Sequence, residues 1–344
     1  MIPAWVADMD LPTAPAVTEA LLRRAAGDLG YPTWLLDQNA GPLAEAFAER
    51  MAARYDWRPD PAHVRPFSDL NQAVQALLQV WTKPGDGVAV HAPLYHPFLD
   101  TLQIMERPLH PIRMEPDGAT WRFEVPDLSD CRVLLLVNPH NPTGRVFTHA
   151  ELTALAESAE RHDLLVIADE IHADLVYEPH RHIPFATILP ERTVTLTSAT
   201  KAFNLGGIRC SVAHLGHPGL RAAMDAQPPF VYGSPSVFGV EATVAAWRHG
   251  DDWLAETVAL LDRHRHTLAR RLPTGFGYRV PEATYLAWLE VGRPGMAEVI
   301  EREARVRLND GAAFGPGGEH CVRLNFATTE AILDEIIDRL IRVV

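Results

Sequence analysis

Three segments decide how this sequence is read. Val133-Leu134-Leu135-Leu136-Val137 runs into Asn138-Pro139-His140-Asn141-Pro142-Thr143-Gly144. Leu164-Leu165-Val166-Ile167-Ala168 runs into Asp169-Glu170-Ile171-His172, and Thr193-Val194-Thr195-Leu196-Thr197 runs into Ser198-Ala199-Thr200-Lys201. Each opens with a short apolar or β-branched run that lacks strict alternation, as expected of a strand covered on both faces. Runs of the same kind occupy 87–91 and 212–215. Helical patterns lie between them. Pro42 opens one at a first-turn position, with Leu43, Phe47 and Met51 as its apolar stripe. Others cover 71–81 and 150–161. Strands alternating with helices predict an α/β fold with a mostly parallel sheet covered by helices.

Beyond about residue 250 the pattern changes. A long amphipathic helix is expected over 252–272, a strand over 284–290, a helix over 297–303, a strand over 321–326 and a last helix from Glu330. This predicts a smaller α+β domain, which the N-terminal segment joins because an isolated extended stretch needs a partner sheet. The expected division is a large domain of residues 28–250 and a small one of residues 1–27 and 251–344.

The chain has 344 residues, enough for about two domains. Its 31 Lys and Arg against 44 Asp and Glu give a net charge of −13, with no clustered basic run; nucleic acid and anionic membranes are poor partners for such a surface. No stretch approaches the ~18 consecutive apolar residues of a membrane span. The first residues lack a basic segment followed by an apolar one, so no signal peptide is expected. Cys131, Cys210 and Cys321 are scattered, which disfavours a disulfide framework or a thiolate metal site and fits a reducing, cytoplasmic setting.

Ligands of open parallel sheets bind beyond the C-terminal ends of the strands. There the three segments would bring an amide (Asn141), a carboxylate with an imidazole three residues on (Asp169, His172) and a lysine beside hydroxyls (Lys201, Ser198, Thr200) to one crevice. Pyridoxal 5′-phosphate (PLP) needs that set: a lysine to form an imine and a carboxylate to keep its ring nitrogen protonated. Lys201 is one of only two lysines; the other, Lys83, sits in the turn sequence Lys83-Pro84-Gly85-Asp86. For the phosphate, Phe67-Ser68-Asp69-Leu70 precedes the helix at 71–81, whose N–H groups and dipole favour an anion. Ser198 and Thr200 add hydroxyls, and Arg209 a charged planar fork. His180-Arg181-His182 and His264-Arg265-His266 read as solvated faces, and no metal site is expected.

Asn141-Pro142-Thr143-Gly144, Asp169-x-x-His172 and Ser198-x-x-Lys201 followed by Arg209 resemble the class I/II aminotransferase family of fold-type I PLP enzymes. Trp5-Val6-Ala7-Asp8-Met9-Asp10, Gly30-Tyr31, Ala92-Pro93-Leu94-Tyr95, Asp169-Glu170-Ile171-His172-Ala173-Asp174, Lys201-Ala202-Phe203-Asn204, Ser234-Pro235-Ser236-Val237, 284–289 and Val322-Arg323-Leu324-Asn325 are similar to its cystathionine β-lyase-like C–S lyase branch. The resemblance runs through nearly the whole chain in order.

That resemblance implies a role for each residue. Lys201 would be the imine-forming lysine and proton shuttle, and Asp169 the partner of the pyridine nitrogen. Asn141 would bond the ring hydroxyl oxygen and help hold the substrate, and Tyr95 would stack on the ring and assist catalysis. Ser198, Thr200, Arg209 and the backbone of Asp69 and Leu70 would hold the phosphate. Tyr31 would reach the neighbouring subunit's phosphate and substrate, making a homodimer with shared active sites. Arg323 would clamp the substrate α-carboxylate. Tyr95 also reads as a core aromatic, and His172 as a core histidine or a ring-hydroxyl partner. Relatives usually carry more chain before the Trp5 motif, which leaves the size of the substrate entrance open. His172 favours β-elimination from an L-cysteine S-conjugate such as cystathionine, whereas Arg209 favours transamination of an L-amino acid; both share Lys201. A non-catalytic regulator would keep the fold without needing Lys201, Asp169, Asn141 and Arg323 together.

Overall fold

The computed structural model describes residues 1–36, 40–228 and 231–343. Its centre is a seven-stranded sheet. Across it run Val64–Phe67, Ser211–Leu215, Thr193–Thr197, Leu165–Asp169, Cys131–Val137, Gly87–Ala92 and Leu109–Arg113. Ser211–Leu215 is antiparallel to both of its neighbours, and the other neighbouring pairs are parallel.

The sheet lies between two apolar layers, which accounts for the unbroken hydrophobic runs. Val133, Leu135, Val137, Leu165 and Ile167 feed one layer; Leu134, Leu136, Val166 and Ala168 feed the other. Alternate residues of one strand thus leave water on opposite faces, each large aliphatic side chain contributing about 1.5–3 kcal/mol. The helices begin where local chemistry satisfies their free N–H groups. Thr148 and Glu151 form a capping box at His149–Arg161, Asp69 caps Leu70–Trp81, and Pro42 opens Pro42–Tyr55.

A second, antiparallel sheet runs in the order Gly277–Tyr278, Leu286–Glu290, Cys321–Asn325, Asn309–Asp310. The 21-residue helix Asp251–Arg271 and the helices Met296–Glu303 and Glu330–Ile341 accompany it. The N-terminal strand Ile2–Pro3 pairs in parallel with Val306–Arg307. Residues 4–11 then continue as a strap held by main-chain and side-chain bonds. Asn325 N–H donates to Ala4 O, the Asn325 amide to the carbonyls of Val6 and Asp8, and the Asn204 amide to Met9 O.

The two His-Arg-His triplets are solvated faces only in part: Arg181 is exposed and His180 and His266 are partly so, but the other three residues are buried. His182 is buried, with Nε2 3.2 Å from a Glu170 carboxylate oxygen. His264 is buried with Nδ1 3.0 Å from Phe326 O, and Arg265 is buried over the Tyr177 ring and donates to Pro281 O. The three cysteines are free and buried. Among the described residues, no cluster of three or more His, Cys, Asp or Glu could hold a metal, and no helix is long and apolar enough to cross a membrane.

Candidate active site

The strand ends of the large sheet open into a cavity of about 590 Å³. Lys201, Asp169, Asn141, His172, Tyr95, Asp69, Leu70, Ser198, Thr200, Arg209 and Arg323 all line it. Tyr31 does not; its side chain is in the open, at 84% exposure.

On the sheet side, Asp169 ends its strand beside Val137 and Leu196. It is buried and accepts the Ile171 N–H at 3.1 Å. Burial pushes its carboxyl up to about 7; the Glu170 charge adds to this, while the Ile171 bond and Lys201 oppose it. Lys201 stands just past the neighbouring strand and donates from Nζ to Ala7 O at 2.8 Å. Burial lowers its ammonium below the usual lysine range, Asp8 and Asp169 pulling the other way. Burial, Lys201 and Arg323 push His172 down to about 3, so its imidazole is neutral. Its buried Nδ1 has no hydrogen-bond partner among the described residues. Tyr95 precedes the helix His96–Ile104, lines the cavity and meets Phe98 edge-on.

The opposite wall comes from distant parts of the chain. Arg323, in the middle of Cys321–Asn325, is 3% exposed, and burial lowers its guanidinium to about 10. Nη1 donates to Asn141 Oδ1 at 2.9 Å; Nη2 donates to Asn309 Oδ1 at 2.9 Å and to Trp5 O at 3.1 Å. The guanidinium lies over the Phe314 ring at 4.9 Å, and its buried Nε has no hydrogen-bond partner among the described residues. The Tyr285 hydroxyl donates at 2.9 Å to Ala7 O, the same carbonyl that accepts from Lys201. Tyr285, Asn309, Phe314 and the strap carbonyls are the residues that sequence reasoning missed. In sequence Tyr285 is one more aromatic in a strand pattern, a residue type that packs in a core. Only the position of Trp5–Asp10 in a recognisable motif pointed to the strap.

At the far end, Asp69 caps its helix by accepting the Gln72 N–H at 3.0 Å, and its other carboxylate oxygen pairs with Arg209. Arg209 has φ +59, a left-handed conformation uncommon for a side chain with a Cβ, and its side chain is 59% exposed. Ser198 Oγ donates to Cys210 O at 2.5 Å and accepts the Thr200 N–H at 3.1 Å. The N–H groups of Leu70 and Asn71 have no hydrogen-bond partner among the described residues.

These groups fit PLP. A buried carboxylate without a full cationic partner suits a protonated ring nitrogen. A desolvated lysine suits an imine, the orphaned His172 nitrogen suits a ring substituent, and free helix N–H groups beside Arg209 suit a phosphate. The fold and the donor set are therefore those of a fold-type I PLP enzyme.

Comparison with known proteins agrees. The model of the family "Aminotransferase class I and II" matches residues 6–340. The chain is 33% identical to cystathionine β-lyase PatB of Bacillus subtilis over 359 residues, covering 98% of this chain and 91% of that protein. The crystal structure of OvoB superposes with a TM-score of 0.92 at 31% identity, covering 99% of this chain and 92% of that one. The PLP-bound C–S lyase of Staphylococcus hominis superposes at 0.91 and 25% identity, covering 99% and 90%. The protein belongs to the class I and II aminotransferase family.

Proposed function

We propose that the protein is a PLP-dependent C–S β-lyase, cleaving L-cystathionine or another L-cysteine S-conjugate to a thiol, pyruvate and ammonia. Similarity to PatB over nearly the full length of both chains, with Lys201, Asp169 and Arg323 around one cavity, carries this reading. PLP supplies an electron sink conjugated to the substrate Cα. The chain's residues supply the rest. Arg323 holds the α-carboxylate, its unpartnered Nε–H open to the substrate while Asn141 and Asn309 fix the plane of the guanidinium. Asp169 keeps the proton on the pyridine nitrogen: a cation at that point draws the buried carboxyl back into its ionised form.

Lys201 takes the Cα proton at Nζ. Its lowered affinity for a proton leaves more of the free amine at neutral pH, and Ala7 O aims the group. Neutral His172 and Asn141 offer hydrogen bonds at the ring-hydroxyl side. The bond from Cβ to sulfur then breaks, the thiolate leaves, and water converts the three-carbon remainder to pyruvate and ammonia.

The reading includes a cytoplasmic homodimer, with Tyr31 contributing to the partner's site. Its support is that Tyr31 is exposed and stands outside its own cavity, with the apolar side chains of Leu29, Ile104 and Val231 also in the open, and that the three cysteines are free. It also keeps residues 28–250 as the PLP domain, with 1–27 and 251–344 as the second.

The test is product release from L-cystathionine without any 2-oxo acid. Equal amounts of pyruvate, ammonia and homocysteine are expected. Turnover that appears only on addition of 2-oxoglutarate, with no thiol released, would make the enzyme an aminotransferase.

A further inference from the structure

A phosphate-binding end gains from every positive charge it holds, yet this one contains a carboxylate. Asp69 stands at the first turn of Leu70–Trp81, where the Leu70 and Asn71 N–H groups have no partner among the described residues. One of its oxygens accepts the Gln72 N–H and the other contacts Arg209, the cation of this end of the cavity. The chain's second lysine, Lys83, does not line the cavity, and Arg323 is committed to Asn141, Asn309 and Trp5. The charges of Arg209 and Asp69 cancel. An arriving phosphate dianion meets a helix end whose neighbouring arginine is already paired.

We infer that Asp69 is a built-in competitor for the cofactor's phosphate, holding Arg209 in the cofactor-free protein and setting how readily PLP binds and leaves. The inference rests on the PLP reading above and adds to it a residue that weakens the hold on the cofactor. Arg209 keeps an uncommon left-handed backbone conformation that presents its side chain to this carboxylate. Arrival of the phosphate exchanges one anion for another on the same guanidinium, and the displaced carboxylate stays close by, bonded to Gln72 and repelling the newcomer. The helix cap survives the exchange because it uses the other oxygen.

Asp69→Asn separates the charge from the cap, since asparagine caps a helix as well as aspartate does. Cofactor-free wild type and D69N are titrated with PLP and with pyridoxal, which lacks the phosphate, following the visible absorbance of bound cofactor. Removal of one negative charge near the phosphate should tighten PLP binding about tenfold and slow its release on dilution, leaving pyridoxal affinity unchanged. Inorganic phosphate should also raise the melting temperature of cofactor-free D69N more than that of wild type. PLP affinity that is unchanged or weaker in D69N, while wild type binds PLP, would overturn the inference and make Asp69 an orienter of Arg209. If neither protein binds PLP, the cofactor reading itself falls, and this inference with it.

Discussion

The two walls of the cavity are made in different ways. The sheet wall is a set of side chains delivered by strand ends: Asp169 closes an all-buried strand, Lys201 follows another, Asn141 follows one buried at every residue but Arg132, and in-register pairing sets their spacing. The facing wall is a single arginine held by other segments. Arg323 is fixed by Asn141 from the sheet wall, by Asn309, and by the carbonyl of Trp5 more than 300 residues away. A sheet edge is rigid and suits groups that must meet a reacting atom within fractions of an ångström. A strap and a short strand suit a wall that grips and releases the substrate. The division of labour follows: the sheet wall governs the chemical step, the facing wall governs binding.

The sharpest way to break that division is Lys201→Ala. It should lower kcat by roughly ten thousandfold with little change in melting temperature, because a proton-transfer group at the reacting carbon is lost. Turnover within tenfold of wild type would end the assignment. Asp169→Asn probes the same wall through stability. In the cofactor-free protein Asp169 binds its proton up to about pH 7, whereas an unfolded chain releases it near 3.9. Its stabilising contribution is therefore complete below about pH 4 and lost as pH rises through about 7. Between pH 5 and pH 8 the melting temperature of cofactor-free wild type should fall by several degrees relative to D169N. Parallel profiles would contradict the raised carboxyl.

On the facing wall, Arg323→Lys keeps the charge but loses the fork. It should raise KM for amino-acid substrates by about a hundredfold while kcat falls much less, as steady-state kinetics would reveal. A loss confined to kcat would place Arg323 in the chemical step. The mildest change is Tyr285→Phe, which deletes the hydroxyl donated to Ala7 O. One neutral hydrogen bond is worth about 1 kcal/mol, so a roughly fivefold rise in KM is expected. No change at all would mean that the strap is held well enough by Asn325 and Asn204.

The same contrast explains what the sequence made legible. Buried parallel strands announce themselves as continuous apolar runs, and the chemistry that follows them is written in side-chain identity; Asp169 after 164–168 and Lys201 after 193–197 are visible for that reason. The facing wall works largely through main-chain carbonyls, at Trp5 and Ala7, which every residue type carries. Tyr285 looks like any strand aromatic, because nothing in its identity says that its hydroxyl meets a backbone oxygen 278 residues away in the chain. His182 misleads in the other direction: flanked by charge in the sequence, it is buried against Glu170 because a carboxylate just past a central strand needs a polar neighbour. The Asp69–Arg209 pair escaped notice because two residues 140 apart in sequence meet only once the helix and the 206–209 turn are placed.

Both walls serve a cofactor that Lys201 is proposed to carry. Because the chain holds only two lysines, one measurement addresses that attachment directly: reduction of the PLP-loaded protein with borohydride, followed by peptide mass mapping. A stable pyridoxyl adduct is expected on the peptide containing Lys201 and none on the peptide containing Lys83. An adduct on Lys83, or none on either lysine of a protein that has bound PLP, would contradict that attachment.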